Sequence, residues 1–554
     1  MSRWQNPKQL IELLCDLVQI PSVSGSAAER GMSAAIVEHL RTLPYFQKHP
    51  SHLQTHPAED GRHLVTALAK KPGVKETVIL ISHFDVVDVG DYGVWQAHAF
   101  DPKSLTRIFR ERLGELPDDA RKDLESGNWL FGRGTMDMKC GLALHMSLIE
   151  RACNGDFSGN LLLVTVPDEE VNSVGMRAAV PVLLRLAEEF GLDYVTVLNS
   201  EPMFSRYPGD TGHYLYTGSI GKLLPGFLCY GKETHVGEPL AGLNANFMAS
   251  MVTREIELNT AFCEAAAGEV TAPPTNLLQK GLKKEYSVQI PHRAVTLFNL
   301  FLLEKQIGEI TESLLAAART AAEKIKRRYT EQAAAFSRYG SFTPPELSIA
   351  VLTYEELFAH AVRTHGRERV QAMQQELLAR RGGKDDREVT IELVDQLAVL
   401  CKELSPMIVL FYAPPFYPAI HSGNHPLIRQ TAEELEAYAA QRHGIRLQRQ
   451  AYFGGISDLS YCGLQYPASS MQPLVANMPL WERGYSIPLQ ELEAFQVPVL
   501  NVGPVGRDAH KWTERLDVEF AFVTLKEMLA HCVERLLTNS RRMVSPNSLS
   551  SGQE

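Results

Sequence analysis

The sequence predicts an α/β fold in which a mostly parallel, helix-covered sheet forms one domain and a large α+β lid domain is inserted into it. Short apolar segments alternate with segments of helical periodicity over roughly the first 200 residues, as in parallel sheets covered by helices. The alternation stops near residue 212 and resumes after about residue 425. At 554 residues the chain also exceeds one simple core, so two or more domains are expected.

The elements of the first domain follow from local patterns. The chain opens with a helix whose apolar face carries Leu10, Leu13, Leu14 and Leu17. Apolar, β-branched runs predict strands at 63–69, 77–83, 161–166 and 194–199, and helical periodicity predicts helices at 138–151 and 174–190. A charged insertion at 100–129 is predicted to be helical.

The pattern differs in the middle of the chain. Glycine-punctuated, strand-like sequence at 217–235 precedes predicted helices at 243–260, 304–339 and across 354–404. The first pattern then returns, with predicted helices at 426–441 and 517–537, a strand at 497–503, and a disordered tail from residue 540. The predicted division is therefore 1–215 plus 422–554 for the sheet domain and 216–421 for the inserted domain.

Composition excludes several classes of function. There are 55 Lys and Arg against 65 Asp and Glu, a net charge of −10, which gives no excess of basic charge for nucleic acid or an anionic membrane. No stretch approaches the ~20 apolar residues that a membrane span requires. The 8 cysteines are scattered without a CxxC pair, as expected for free thiols in a reducing compartment. We therefore expect a cytoplasmic protein.

Acidic and histidine residues follow the ends of several predicted strands, where open α/β sheets bind their ligands. Each has an ordinary explanation, since a lone His is usually structural, an Asp can cap a helix and acidic pairs are usually solvated. One sheet edge, however, collects all of them without matching Lys or Arg. Such a cluster requires cations, and two divalent metal ions would supply them. The residues are His83, Asp85, Asp137, Asp168, Glu169, Glu170, Glu201 and His510.

The local spacing supports a metal site. Residues i and i+2 of an extended segment face the same way, so Asp85 can reach the second ring nitrogen of His83. A carboxylate in that position fixes the tautomer of a metal-binding histidine. Glu169 and Glu170 leave their strand in different directions, so one can bind metal while the other faces an attacking water molecule.

Other catalytic motifs are poorly supported. GRGTMD has Asp137 where a dinucleotide fingerprint needs its third glycine. GISDL (455–459) lacks the closing glycine of a nucleophile elbow. HSGNH (421–425) is a proline-flanked loop and not the HExxH helix of a zinc peptidase.

The chain resembles the M20 family of dinuclear zinc peptidases and amidohydrolases. Six blocks occur in the order of the family across nearly the whole chain. The insertion after AFDP (99–102) and the PPFYP stretch look most like the RocB-type branch, which is associated with arginine utilisation. The blocks are SHFDVVD (82–88), GRGTMDMKCG (132–141), VPDEEVNSVG (166–175), NSEP (199–202), GKETHVGEPLAGLNA (231–245) and GPVGRDAHKWTE (503–514).

The resemblance implies a role for each residue. Asp137 would bridge two ions, His83 and Glu201 would complete one site, and Glu170 and His510 would complete the other. The ions would most simply be Zn²⁺, with Co²⁺ or Mn²⁺ as alternatives. Glu169 would act as the general base and Asp85 would orient His83.

In the inserted domain, the resemblance implies that His235 reaches an active site, in many dimers that of the partner subunit, and stabilises the tetrahedral intermediate. A homodimer through this domain is thus expected. The domain is, however, much longer than the usual lid of the family, which puts the usual dimer geometry and substrate pocket in question.

Three functions stay open at this point. The first is a metal-dependent hydrolase of an N-acyl amino acid, which the RocB-like features favour, acting on an arginine-related compound. The second is an exopeptidase or dipeptidase with the same chemistry, and the third is a non-catalytic member that binds a small molecule. A degraded site would have lost a ligand or the base, whereas all five ligands and Glu169 are present.

Overall fold

The computed structural model describes residues 2–207, 209–283, 287–340 and 346–544. The chain divides into two compact units. Unit 1 comprises the chain up to Ile220, Ile420–Leu464 and the chain from Pro488, and unit 2 comprises Gly221–Ala419 and Gln465–Ile487. The predicted fold class, an α/β domain with an inserted α+β domain, is confirmed. Residues 540–544 of the predicted disordered tail belong instead to the helix Lys526–Val544, and the rest of the predicted tail lies outside the described residues.

Unit 2 also includes Gln465–Ile487, a segment that the predicted division assigns to the sheet domain. The reason is tertiary packing within unit 2. The hydroxyl of Tyr485 accepts a hydrogen bond from the backbone N–H of Phe416 at 2.8 Å and donates one to its carbonyl oxygen at 3.1 Å. The side chain of Asn477 accepts a hydrogen bond from the N–H of Glu355.

Unit 1 carries most of the predicted elements of the sheet domain, numbered here in chain order. Its helices are α1 (Pro7–Val18), α2 (Ala27–Arg41), α3 (Pro44–Lys48), α4 (Pro102–Glu111), α5 (Asp118–Ser126), α6 (Lys139–Cys153), α7 (Val174–Phe190), α13 (Pro426–His443), α15 (Leu489–Phe495) and α16 (Lys526–Val544). Its strands are β1 (Leu53–Pro57), β2 (His63–Ala69), β3 (Glu76–His83), β4 (Trp129–Phe131), β5 (Asn160–Val166), β6 (Asp193–Asn199), β7 (His213–Tyr216), β8 (Gly218–Ser219), β16 (Ile420–His421), β17 (Leu447–Gln450), β18 (Val499–Asn501), β19 (Gly506–Arg507) and β20 (Arg515–Asp517).

The main sheet of unit 1 has the strand order β1-β2-β5-β3-β6-β18-β7-β17. Its centre is parallel, since β3 pairs in parallel with both β5 and β6, and β6 pairs in parallel with β18. Antiparallel β2 and β1 extend it on one side. The central strands are buried along nearly their whole length, as expected when helices cover both faces. A second, small sheet in the order β19-β20-β4 lies near the charged insertion.

Unit 2 is an α+β unit. Its helices are α8 (Ala245–Ile256), α9 (Ile307–Phe336), α10 (Tyr354–His365), α11 (Arg367–Ala379), α12 (Asp386–Leu400) and α14 (Gln472–Asn477). Its strands are β9 (Gly221–Tyr230), β10 (Ala265–Ala266), β11 (Glu269–Val270), β12 (Thr275–Gly281), β13 (Arg293–Leu302), β14 (Ala350–Thr353) and β15 (Met407–Tyr417).

The main sheet of unit 2 has the order β12-β13-β9-β15-β14. Helices α10 and α12 pack on β15, and their apolar residues, such as Leu357, Val394 and Leu397, join a buried core with Val409 and Phe411. Across the described residues of both units, no helix combines the length and apolar character that a membrane crossing needs.

Candidate metal centre

The predicted site residues gather at the carboxyl ends of three neighbouring strands. In the register of the sheet, His83 at the end of β3 is opposite Val166 at the end of β5, and Ile81 is opposite Asn199 at the end of β6. The segments that follow β5 and β6 therefore leave the sheet beside His83. This geometry brings Glu169, Glu170 and Glu201 to one place, although they are distant in sequence.

One group of donors surrounds His83. Its Nε2 lies 3.4 Å from Oδ1 of Asp137 and 3.6 Å from Oε1 of Glu201. All three side chains are buried. Oε1 of Glu201 has no hydrogen-bond partner among the described residues. A buried carboxylate oxygen without such a bond is costly unless a cation satisfies it, so this oxygen fits a metal ligand.

A second group of donors surrounds His510. Its Nε2 lies 3.3 Å from Oδ2 of Asp137 and 3.1 Å from Oε1 of Glu170. Donor atoms of His83, Asp137 and Glu170 all lie within 4.8 Å of one another. Such separations fit ions that bind nitrogen and oxygen at about 2.0–2.2 Å.

Asp137 is common to both groups and divides its two oxygens between them. Oδ1 faces His83 and Oδ2 faces His510. A carboxylate in this arrangement can bridge two ions. The donors fall into the two sets that the family resemblance implies, and the donor types suit two divalent transition-metal ions. Their assignment as ligands stays a prediction.

Asp85 orients the site without belonging to either group. Nδ1 of His83 lies 3.0 Å from the carbonyl oxygen of Asp85 and 3.6 Å from its carboxylate, so Nε2 is the nitrogen that faces the donors. The Asp85 carboxylate also accepts hydrogen bonds from the backbone N–H groups of Glu169 and Glu170, at 3.0 and 3.3 Å. Asp85 therefore fixes both the His83 ring and the turn that carries the two glutamates.

The Glu169 carboxylate lies beside the His83 group, with Oε2 3.9 Å from Nε2 of His83. Burial raises the pKa of Glu169 well above its ordinary value; His83 opposes this, and Glu201 adds to it by charge repulsion. Burial and neighbouring carboxylates raise the pKa of Glu201 in the same way. A carboxyl with a raised pKa can take up and hold a proton, as a general base must.

The cluster as a whole requires positive charge. Hydrogen bonds to Asp137 and Glu170 raise the pKa of His510 to about 11. The pKa of His83 is raised too, since the charges of Glu201 and the other carboxylates outweigh its burial. The carboxylates around both histidines thus favour positive charge at this place, which a bound cation would supply.

The His510 hairpin is held by the charged insertion. His510 has a positive φ of 63° and lies in the turn between β19 and β20. Arg515, fully buried, donates from Nε to Asp123 of α5 at 2.7 Å and also binds Asp508 in the same turn. Asp123 accepts a second bond from Arg507 at 3.1 Å. The insertion thus anchors the turn that presents His510, a role that was not predicted.

The loop that presents Asp137 is held by a second buried ion pair. Arg133 donates to Oε2 of Glu514 at 2.8 Å, and the other Glu514 oxygen accepts a bond from the N–H of Met136 at 3.3 Å. Both charged side chains are almost fully buried. Glu514 ends the GPVGRDAHKWTE block, so the blocks around Asp137 and His510 are joined directly.

Asp168, for which the sequence predicts no catalytic role but local hydrogen bonds that shape the turn, lies in the turn after β5. It has a positive φ of 69°, and its carboxylate accepts a hydrogen bond from the N–H of Val174 at the start of α7. Its other oxygen pairs with Arg62 at 2.8 Å, and Arg62 also pairs with buried Glu29. Arg62 therefore offsets part of the charge of Asp168, since it also pairs with Asp60.

Asp458, in the GISDL segment, was not among the predicted site residues. Asp458 is 2% exposed. Burial raises its pKa to about 7, with His83 and the Ser173 hydroxyl opposing this and the Asp85 and Asp168 charges adding to it. The same charge contributes to the raised pKa values of Glu169 and Glu201.

His235 lies in unit 2. It is exposed, its Nδ1 accepts a hydrogen bond from the N–H of Gly237 at 3.1 Å, and its backbone bridges to Gln289. Its role in substrate binding stays a prediction.

Comparison with known proteins identifies the family. A family model for peptidase family M20/M25/M40 matches residues 79–471. The chain belongs to this family. It is 49% identical over 537 residues to the uncharacterized protein YqjN of Bacillus subtilis, covering 97% of this chain and 98% of YqjN. It is 30% identical over 552 residues to Protein RocB of the same organism, covering 98% and 97%.

A solved structure supports the fold. The chain superposes on the M20 family metallo-carboxypeptidase Sso-CP2 from Sulfolobus solfataricus with a TM-score of 0.52 and 12% identity, over 95% of this chain and 98% of that one. The resemblance to the M20 family and to RocB is confirmed. As a member of this family, the chain is a metal-dependent hydrolase that acts on amide bonds.

Proposed function

We propose that this M20 family member hydrolyses the amide bond of a small substrate, an N-acyl amino acid or a short peptide, with two divalent metal ions. Zn²⁺ is the simplest choice for histidine and carboxylate ligands, and Co²⁺ or Mn²⁺ are alternatives. The observation that carries the proposal is the division of the Asp137 oxygens between His83 and His510. His83, Asp137 and Glu201 would hold one ion, and His510, Asp137 and Glu170 the other.

The bound ions would polarise the substrate carbonyl and lower the pKa of the attacking water. The residues of the chain transfer the protons and hold the reacting groups in place. Glu169 accepts the proton that the water loses and delivers it to the nitrogen of the leaving amine when the carbon–nitrogen bond breaks. The position of Glu169 supports both steps, because its Oε2 lies 3.9 Å from Nε2 of His83, beside the donors proposed for the first ion.

Two further groups keep the glutamates of the site in place. Asp85 accepts the N–H of Glu169 and of Glu170, which fixes the direction in which each carboxylate leaves the turn. Gly503 lets the chain approach the segment after β6 closely, because a Cβ there would lie 1.8 Å from the carbonyl oxygen of Glu201. Both contacts support preorganisation of the site.

For the substrate, the RocB-like features of the sequence favour an N-acyl amino acid related to arginine. His235 is proposed to stabilise the oxyanion, from the same subunit or from a partner in a homodimer formed through unit 2. Its exposure supports this role, since an exposed imidazole is accessible to substrate. The cytoplasm is the proposed location, on the basis of the scattered cysteines.

The test is a screen of N-acyl amino acids, including acylated arginine and ornithine, and of dipeptides, with Zn²⁺, Co²⁺ or Mn²⁺ added in turn. We expect turnover of at least one N-acyl amino acid that depends on the metal and is lost in Glu169→Gln, with the metal content of that variant unchanged. If only dipeptides are cleaved, the activity is that of a peptidase and not of an N-acyl-amino-acid deacylase. Wild-type turnover in Glu169→Gln would refute the assignment of the base.

A further inference from the structure

A second group of metal-binding side chains lies in unit 2, on elements that the active site does not use. His360 belongs to α10, Cys401 caps the C-terminal end of α12, and Glu403 lies in the turn Lys402–Leu404 that follows. One donor atom from each of these side chains lies within 4.8 Å of the other two. Nε2 of His360 is 2.9 Å from Oε1 of Glu403.

We propose that His360, Cys401 and Glu403 form a third metal site, which takes a transition-metal ion such as Zn²⁺ and links α10 to the end of α12. Thiolate, imidazole and carboxylate together are a ligand set that Zn²⁺ prefers. The thiolate and the carboxylate carry two negative charges, which a divalent ion neutralises.

The local backbone gives the donors a defined geometry. The N–H of Cys401 bonds to the carbonyl of Leu397 in the last turn of α12, and the carbonyl of Cys401 accepts the N–H of Leu404. Cys401 and Glu403 thus lie on one tight turn. The end of a helix also carries partial negative charge, which favours a cation beside Cys401.

His365, the last residue of α10, is a candidate for a fourth ligand. Its Nε2 is buried and has no hydrogen-bond partner among the residues that the structure describes. His365 lies five residues after His360 on the same helix, and its charge acts on the Glu403 carboxyl. A movement of the His365 ring would complete a tetrahedral set.

Burial and access are compatible with an ion. The side chain of His360 is 26% exposed and that of Glu403 is 48% exposed, so an ion can enter from solvent. Cys401 is 0% exposed, and burial, with the charge of Glu403, raises the pKa of its thiol to about 11. The thiol must lose its proton on binding, so affinity should increase with pH.

The competing explanation is ordinary packing. Cys401 belongs to the apolar core of unit 2, and His360 and Glu403 could form a simple hydrogen-bonded pair, with Thr364 a further neighbour of the imidazole at 3.4 Å. Cobalt spectroscopy distinguishes a metal site from ordinary packing, because only a bound ion gives a thiolate-to-cobalt charge-transfer band. The donors proposed for the active site are nitrogen and oxygen alone, so Co²⁺ bound there does not give this band.

The experiment titrates the reduced, metal-free full chain with Co²⁺ and follows the near-ultraviolet absorption and the bound metal. We expect a thiolate band and one ion more in the wild type than in Cys401→Ser. The matched control is Cys263→Ser, a half-buried cysteine of the same unit outside the cluster, which should keep the band and the ion. No band at saturation in the wild type, or a band that persists in Cys401→Ser, would overturn the proposal.

Two milder variants keep the test informative if Cys401→Ser does not fold. His360→Gln and Glu403→Gln change partly exposed side chains. Each should raise the Co²⁺ concentration at half-maximal band intensity by at least about tenfold. An unchanged midpoint in both variants would contradict their roles as ligands. Amide hydrolysis, measured in parallel, reports the active site separately, so failure of either proposal can be recognised.

Discussion

Replacing Asp123 by Asn should weaken the site through His510, although Asp123 belongs to the charged insertion and not to the predicted ligands. Asp123 is 12% exposed and is the partner of Nε of Arg515, whose side chain is 0% exposed. Arg515 in turn binds Asp508, two residues before His510. Without the Asp123 charge, the buried guanidinium keeps Asp508 and the more exposed Asp119 as partners. The turn should then shift, because His510 and Asp508 both have positive φ values that their surroundings must maintain.

The expected loss of stability follows from burial. Removing one partner of a buried ion pair costs about 3–5 kcal/mol. Asn retains an oxygen that can accept from Arg515, so we expect about 2–3 kcal/mol for Asp123→Asn. The metal affinity of the His510 group should fall about 10–100-fold, as when a supporting residue of a metal ligand is removed.

The matched control is Asp118→Asn on the same helix. Its carboxylate is 82% exposed and pairs with Arg121, which is 38% exposed, so the change should cost less than about 0.5 kcal/mol. Urea unfolding measures the stability of both variants, and metal titration against a chelator measures affinity. Equal stability and equal affinity in the two variants would refute the anchoring role of the insertion.

Further predictions concern other parts of unit 1. Burial, reinforced by the Asp85 charge and opposed by Arg62, raises the pKa of Glu29 from 4.5 to about 7. The folded chain therefore binds a proton that the unfolded chain has lost, and the free energy of unfolding should decrease as pH rises from about 4.5 through 7, by up to about 3 kcal/mol. Glu29→Gln should reduce this slope in urea unfolding at about pH 5 and about pH 8, and an unchanged slope would exclude Glu29 as its source. Gly503→Ala should lower turnover, because the added Cβ would displace the backbone of Glu201. Gly31→Ala is the control and should not lower turnover, since a Cβ there meets nothing within 4 Å. Equal turnover in both variants would contradict the close approach of Gly503 to the carbonyl oxygen of Glu201. His235→Ala should lower kcat more than it changes KM, and a near-normal kcat would remove His235 from the oxyanion role.

The elements of the sheet were predictable because their signal is local. The strand predicted at 63–69 is β2, His63–Ala69, and the helix predicted at 174–190 is α7, Val174–Phe190. Apolar runs and helical periodicity are properties of neighbouring residues, so the sequence carries them directly. The placement of Gln465–Ile487 in unit 2 depends on contacts such as that of Tyr485 with Phe416, which have no local signature.

The same distinction applies to the site. Motifs with adjacent acidic and histidine residues made the donors recognisable, and the register of β3, β5 and β6 explains why they meet. The groups that hold them were missed because their partners are far apart in sequence. Asp123 and Arg515 are 392 residues apart, and Arg133 and Glu514 are 381 apart. Arg133 lies within a family block and Arg515 directly after one, but the partner of neither could be chosen from the sequence.

The central claim, that Asp137 bridges two ions, is tested most directly by anomalous diffraction from crystals of the protein grown with Zn²⁺ or Co²⁺. We predict two peaks about 3.5–4 Å apart, one beside His83 and Glu201 and the other beside His510 and Glu170, with one Asp137 oxygen near each. A single peak at this site, or none at full metal loading, would contradict the account.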